Sequence, residues 1–596
     1  MNSPKKILIV ASIVLFLAAF AVFDVGFRQW TPIAHMPDGG FARYRPADMT
    51  ACAKYRVRAF FFDAYAKYFW SGCRAQLIKT NGLAGFNLRY WPVVSLSVAG
   101  TGALLAFALT VRWEPPRVKV TRGREYLTGG AARARLRSAC AVEYRYSSKG
   151  LQFPPGIRIS AERETRHWLI WGSVGSGKTQ TMLHLMRAAI WRGDKILVLD
   201  TKGDMTESMP TEPAIVAPQD ERSFVWDVAA DCRTKQDARE LAARFIPASS
   251  DPFWSDAARE IFVACIAQLQ AEKPEQWSWA DLRDIVLQDS AALFKTAQTY
   301  HPEAMRVLKD PASKTAQSVL TTFQAHLNVV SALAESWGGH ENPPRFSVNE
   351  WLHMDHAKPV ILQRDAKYPE LSNAWISGLL GLLSSAVGSP SLSESRTRRV
   401  WLFLDEFPQL PRMSDFSTFL DMGRSKGVIV VMGAQDIAQI RSVYGRERAD
   451  SWIGMIGTQV ITRLNFGRGA EEASLMIGDQ DVEYKVRSTG TSGAHTTVTE
   501  SIHRETRRVV TAADLSNRLG PRKKRIRIAL LGPGKDAYEL DLPYVRQQQL
   551  RPASQPAQWT YRATERARYG KPGVKTEPES AISKADAAFI RGDKDD

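Results

Sequence analysis

GSVGSGKT, from Gly172 to Thr179, has the spacing G-x-x-x-x-G-K-[ST], and far downstream WLFLDEF runs from Trp401 to Phe407. His167 to Trp171 reads as a short buried strand, and Gln180 to Ile190 as a helix with apolar residues at helical spacing. The first stretch therefore has the strand–loop–helix setting that a phosphate loop needs. Gly172, Gly175 and Gly177 let the backbone of Gly172, Ser173, Val174, Gly175, Ser176, Gly177, Lys178 and Thr179 bend until its N–H groups point inward around phosphate oxygens. The helix N-terminus adds partial positive charge at the same place. Lys178 is expected to reach the β- and γ-phosphates and the Thr179 hydroxyl to coordinate magnesium. Val400 to Leu404 are all apolar, as in a central parallel strand buried on both faces. Asp405, at its carboxyl end, is expected to hold magnesium through water, and Glu406 to polarise the attacking water. The two stretches together predict ATP and Mg²⁺ as cofactors and hydrolysis as the reaction.

Gly423-Arg424-Ser425-Lys426-Gly427 is followed by the apolar run Val428 to Met432 and then by Gly433-Ala434-Gln435-Asp436. A strand ending in an amide beside a nucleotide site commonly senses the γ-phosphate, which is the role expected of Gln435. Arg424 has two readings on spacing alone: an arginine finger projecting across a subunit boundary, or a solvated loop arginine.

A further apolar strand is expected at Ile196 to Leu199, ahead of the polar loop Asp200-Thr201-Lys202-Gly203-Asp204, and more strands at Val360 to Leu362 and Gln459 to Leu464. Helical stretches separate them, so a parallel α/β sheet is the natural arrangement. Between residues 237 and 337 strand signals are absent, and helices are expected at Ala238–Phe245, Ser255–Gln270, Trp279–Leu287, Ala291–Ala297 and Ser313–Ser336, an all-α insertion. Phe253-Trp254, at one helix entrance, suits packing better than base stacking. Tyr484 to Arg508, rich in Ser, Thr, Gly and Arg, reads as a mobile loop. The segments expected are an anchor at 1–112, a basic and β-rich piece at 113–160, a nucleotide-binding domain at 161–236 and 338–550, the insertion at 237–337, and a flexible tail at 551–596 suited to partner capture.

Ile7 to Phe23 is uncharged and follows Lys5 and Lys6, and Trp91 to Val111 is a second uncharged run followed by Arg112, Arg117 and Lys119. Both lengths fit a bilayer span, and no convincing small-x-small cleavage site follows the first. The flanking charges predict cytoplasmic termini, with residues 24–90 on the other side of the membrane. Cys52 and Cys73 fall in that outer loop, where a periplasm permits a disulfide. Cys140, Cys232 and Cys265 have no metal-ligand spacing.

The net charge is +17 over 596 residues. Arg112 to Arg166 holds thirteen Lys and Arg against five Asp and Glu, and Arg522-Lys523-Lys524-Arg525 with Arg527 forms a second basic run. Such patches suit a polyanion, nucleic acid first, although an anionic lipid surface or plain solvation gives the same pattern.

In their order and spacing these pieces resemble the coupling proteins of type IV secretion and conjugation systems, the TraD/TrwB-like family, relatives of FtsK-type DNA translocases. The resemblance rests on the two spans, Glu164-Thr165-Arg166-His167 before the phosphate loop, and the loop from Asp200 to Asp204. It continues through Phe253-Trp254, Leu402 to Phe407, and Gly423 to Gly427 leading to Gln435. It implies an α/β fold: a RecA-like P-loop ATPase domain with an inserted all-α domain and an N-terminal two-helix transmembrane anchor. It also implies a homohexamer on the bacterial inner membrane, working with DNA (single-stranded, or alternatively double-stranded), relaxase and relaxosome proteins, and secretion-channel proteins. Arg424 matches the family's trans-acting arginine and Gln435 its γ-phosphate sensor. A family lysine after the sensor has no clear match; Arg446 and Arg448 are the candidates. Protein-effector secretion and chromosomal DNA translocation are the competing readings.

Overall fold

The computed structural model describes residues 33–35, 38–60, 63–90, 100, 118–306, 310, 313–338, 343–410, 412–413, 415–492 and 495–561. Apart from Gly100, the two apolar runs Ile7–Phe23 and Trp91–Val111 lie outside these residues. The chain divides into two units, Met1–Lys119 and Val120–Asp596.

In the first unit a small hairpin, Ile33–His35 with Phe41–Arg43, precedes helices Pro46–Phe60 and Ala64–Lys79. Met49, Leu77 and Phe86 pack between the helices, and a Cys52–Cys73 disulfide joins them across 5.8 Å of Cα separation.

The second unit is built on an eleven-stranded sheet. Seven parallel strands form its centre, in the order Thr458–Ile461, Trp168–Trp171, Val428–Ala434, Val400–Leu404, Lys195–Asp200, Val360–Gln363 and Ala214–Val216. Their near-continuous apolar sequences follow from burial on both faces. Alternate residues feed two separate cores. Leu197, Leu199, Leu402, Leu404 and Val430 point into one, while Ile196, Val198, Trp401, Phe403 and Ile429 point into the other. The second core is closed by helix Lys178–Arg192, through Met182, Leu185 and Met186. The first is closed by helix Pro369–Gly388 and by the helical insertion. Pro369–Gly388 is the one described helix long and apolar enough to cross a membrane, and it is a mostly buried core helix here.

The sheet is not wholly parallel. Arg525–Leu531 runs antiparallel to Thr458–Ile461, and Ala537–Pro543 antiparallel to Arg525–Leu531. Tyr126–Thr128 then pairs with Ala537–Pro543. The described part of the stretch 113–160 carries the strands Val118–Gly123, Tyr126–Thr128, Lys149–Gln152 and Arg158–Ser160 around helix Gly129–Glu143. It is not separate from the nucleotide-binding domain, because Tyr126–Thr128 joins the main sheet, while Lys149–Gln152 with Arg158–Ser160 forms a hairpin of its own. The basic run Arg522 to Arg525 makes the tight turn into Arg525–Leu531, closed by Arg522 N donating to Arg525 O.

The insertion carries helices Lys235–Phe245, Pro252–Glu272, Trp279–Val286, Ser290–Tyr300, Lys314–Ala325 and Asn328–Trp337. The single helix expected from Ser313 to Ser336 is two, because the chain turns at His326 and Leu327 so that Val319 and Phe323 on one side, and Val330 and Leu333 on the other, reach the same core. A run of aromatic contacts, Trp226–Trp279, Trp279–Trp337 and Trp337–Trp375, ties the insertion to helix Pro369–Gly388. Trp254 packs against this core and Phe253 stays half exposed.

Two further expectations are corrected. The segment read as a mobile loop from Tyr484 to Arg508 is an antiparallel hairpin, Asp479–Ser492 with His495–Arg508, in register from Asp479 opposite Arg508. Cross-strand ion pairs Arg508–Asp479 and Arg504–Glu483 line one of its faces. β-Branched Thr, Val and Ile suit strands as readily as Ser and Gly suit loops, and here the pairing decides. The tail does not begin at Arg551. Residues through Tyr561 are laid on the domain, with Trp559 Nε1 donating to Pro218 O at 2.7 Å and its ring against Tyr368. Residues 562–596 lie outside the described part.

Candidate nucleotide-binding site

The phosphate loop leaves strand Trp168–Trp171 and enters helix Lys178–Arg192 at the carboxyl edge of the sheet. Gly172 donates its N–H to Ala434 O and Ser173 to Arg463 O, so both neighbouring strands hold the loop's start. A Cβ on Gly172, whose φ is +155°, would lie 2.0 Å from Thr462 Oγ1, so no side chain fits there. Thr462 shares a 2.7 Å hydrogen bond with Ser176. Lys178 is buried, and its ammonium bridges the carbonyls of Gly172 (2.8 Å) and Ser173 (3.2 Å), closing the loop on itself. Burial lowers the Lys178 pKa, while Glu406 and Asp405 pull it back up.

Thr179 Oγ1 donates to Asp405 Oδ2 at 2.9 Å. The hydroxyl and the carboxylate expected to share a magnesium ion, from positions 226 residues apart, thus face one another. Strand Val428–Ala434 passes so close that a Cβ on Gly433 would meet the Asp405 carbonyl oxygen at 2.0 Å. That approach delivers the Gln435 amide to Glu406, where it favours the ionised carboxylate. Burial raises the pKa of both Asp405 and Glu406; the Thr179 hydrogen bond offsets part of it for Asp405, and Gln435 then Lys178 for Glu406. Lys178, Thr179, Asp405, Glu406 and Gln435 form one constellation.

Arg424 is not in it. It precedes strand Val428–Ala434 and so lies at the amino edge, about 20 Å from Gln435 at the rise of an extended strand. There it pairs with Glu162 at 2.8 Å, and Glu162 also accepts from Arg166. Arg424 and Glu162 line a cavity of about 770 Å³ with Ser147, Arg396 and Arg399. Below it His167 is buried with Nδ1 accepting from Val430 N and Nε2 facing Leu420 O; burial lowers its pKa to about 4. Neither Arg446 nor Arg448 lies against the phosphate loop in the cavity lined by Ser173, Gln435 and Asn465, whereas Arg468 does. Sequence reasoning missed Thr462, and it quoted Glu164 ahead of the phosphate loop without assigning it a role. Glu164 is fully buried between Arg192 and Arg399, each at 2.9 Å, and ties the far end of the phosphate-loop helix to the start of the Asp405 strand. Thr462 falls within the expected strand Gln459 to Leu464, and a hydroxyl directly after the apolar pair Val460-Ile461 was its one visible signal.

A parallel sheet with a phosphate loop, carboxylates on a nearby strand end and a helical insertion defines a P-loop α/β nucleotide-binding domain with an all-α domain. Residues 152–525 match the family model described as the type IV secretion-system coupling protein DNA-binding domain, and the chain belongs to that coupling-protein family. Over 338 residues it is 28% identical to the coupling protein TraD of Escherichia coli (strain K12), a stretch making 54% of this chain and 45% of TraD. The chain thus matches about half the length of that relative. The unbound bacterial conjugative coupling protein TrwBdeltaN70 superposes with a TM-score of 0.60 at 21% identity, covering 74% of this chain and 96% of that one. TrwB in complex with ADP and Mg²⁺ gives 0.59 at 20% identity, covering 74% and 98%. At such identities the likeness to TrwB is one of fold.

Proposed function

We propose that this chain is an inner-membrane ATPase that recruits relaxase-bound DNA and moves it to a type IV secretion channel during conjugation. The observation that carries the reading is the Lys178, Thr179, Asp405, Glu406 and Gln435 constellation in a coupling-protein chain. Related structures support it: TrwB is described in complex with ADP and Mg²⁺ and with an ATP analogue.

Lys178 would bind the β- and γ-phosphates once its ammonium exchanges the loop carbonyls for phosphate oxygens. Thr179 and Asp405 are the residues that would hold Mg²⁺, which neutralises phosphate charge when bound. Glu406 accepts a proton from water or polarises it, and Gln435 fixes the Glu406 carboxylate and faces the γ-phosphate. Arg424, too far from its own phosphate loop, is assigned to the neighbouring protomer's site in a homohexameric ring. DNA, single-stranded in the first place, would be held through its phosphates, in keeping with the +17 charge. Residues 1–112 are assigned to a two-span anchor with 24–90 outside and both termini cytoplasmic. The Cys52–Cys73 disulfide supports an oxidising compartment for that segment. The end of the chain is assigned to relaxosome or channel proteins.

The test is ATP turnover by the detergent-purified full chain, with and without single-stranded DNA, with Glu406→Gln as the blank. The expected result is turnover that DNA raises and salt suppresses. Turnover above the blank but indifferent to DNA would move the assignment to protein cargo, and no turnover above the blank would remove the motor.

A further inference from the structure

Strand Lys195–Asp200 lies beside the Asp405 strand, with Leu199 opposite Leu404. Asp200 and Asp405 therefore leave adjacent strands at the same level, about 4.8 Å apart in the pairing direction. The loop that follows Asp200 is unusually constrained. The buried Asp200 carboxylate accepts from Lys202 N (3.1 Å) and Gly203 N (2.8 Å) through Oδ1, and from Thr206 N and Thr206 Oγ1 (both 2.8 Å) through Oδ2.

From the other side the loop is held by the segment Val545 to Trp559, which crosses the carboxyl edge as a strap. Val545 N donates to Gln180 Oε1, directly after the phosphate loop. Leu550 N donates to Glu207 O, and Arg551 Nη1 to Thr206 O and Met209 O. Gln363 Nε2 donates to Ala553 O. Gly203 has φ +85°, and a Cβ there would lie 2.8 Å from Ala553 Cβ.

Inside this clamp one side chain is left over. Lys202 is exposed, and its ammonium makes no hydrogen bond or ion pair among the described residues. Its charge nonetheless bears on Lys178, Asp405 and Glu406 together, which places it within electrostatic reach of the whole constellation. A lysine whose only task was solubility would not need its backbone N–H held by the buried Asp200 carboxylate, with the next residue, Gly203, packed against the strap. A polyphosphate brought beside Asp405 and Glu406 raises the local negative charge, and a preorganised cation at that edge meets it without reorganisation.

We propose that Lys202 is a second phosphate-facing cation of the nucleotide site, set by Asp200 and the strap Val545 to Trp559 to meet the terminal phosphate. The inference rests on the ATPase reading above and deepens it.

The test compares binding of ADP and of a non-hydrolysable ATP analogue to the full chain in detergent, for the native sequence, Lys202→Ala, Lys202→Arg and Lys178→Ala. Lys202→Ala is expected to weaken the triphosphate analogue roughly tenfold, the effect of one charge-assisted hydrogen bond, and to leave ADP about unchanged. Lys202→Arg should restore most of the difference. Equal weakening of both nucleotides would make the loop a structural element only, and unchanged affinity for both would remove Lys202 from the site; either result overturns the proposal. Lys178→Ala separates the two levels. If it binds and turns over nucleotide like the native chain, the ATPase reading falls; if it is inactive while Lys202→Ala behaves as native, only this inference falls.

Discussion

Burial raises the pKa of Glu406, and the Gln435 amide and Lys178 ammonium pull it part of the way back. A carboxylate that assists water must be ionised, so raising its pKa moves the loss of activity on acidification to higher pH. The acid limb of single-turnover hydrolysis is therefore expected above the ordinary glutamate range. Gln435→Ala should move that limb further up in pH as well as slow turnover, since it deletes the largest interaction favouring the ionised form. A pH–rate profile of the two chains checks this, and an unmoved limb would show that Gln435 acts on the phosphate alone. At this scale the sequence was legible where a residue type and a spacing carry the chemistry, as at Lys178, Thr179, Asp405 and Glu406. Thr462 was not, because what marks it is a partner hundreds of residues away, and the loop from Asp200 to Asp204 was visible without the backbone clamp on which the role proposed for Lys202 rests.

Elements were legible in proportion to how uniformly they are buried. Val400–Leu404 could be delimited because every residue is apolar. Although the break between Lys314–Ala325 and Asn328–Trp337 leaves the helical spacing unchanged enough to pass unseen, the insertion could be read as helical because its apolar faces recur at that spacing. The hairpin Asp479–Ser492 with His495–Arg508 was not, since its stability lies in cross-strand partners and not in composition. The strap Val545 to Trp559 has no periodicity at all; its order comes from donating to and accepting from loops already in place. Glu164 shows how such ties bear on the site. It accepts Arg192 from the end of the phosphate-loop helix and Arg399 from the start of the Asp405 strand, with no exposure of its own. Glu164→Gln keeps the volume but leaves the buried Arg399 without a carboxylate partner among the described residues, while Arg192 keeps its pair with Asp194, a change expected to cost about 3 kcal/mol. Denaturant unfolding of the second unit within the full chain checks it. A loss below about 1 kcal/mol would mean that water compensates Arg399.

For the whole molecule, the separation of Arg424 from the phosphate loop of its own chain is the feature with the largest consequence. One strand, Val428–Ala434, stands between the arginine at the amino edge and Gln435 at the carboxyl edge, and the central sheet is buried on both faces, so no rotamer brings the two sites together. An arginine that serves catalysis from that edge serves another protomer. Lys178→Ala and Arg424→Ala chains should each be inactive alone, because every interface then lacks either the phosphate-loop lysine or the arginine. Mixed in equal amounts before assembly, they form about one interface in four that takes Lys178 from one parent and Arg424 from the other. If interfaces act independently, the mixture recovers up to about a quarter of native turnover; if they fire only in concert, less. Recovery that appears on mixing and grows with protein concentration would require a shared site. Silence at every ratio, from chains that still assemble, would return Arg424 to its ion pair with Glu162 and leave hydrolysis to the groups of a single protomer.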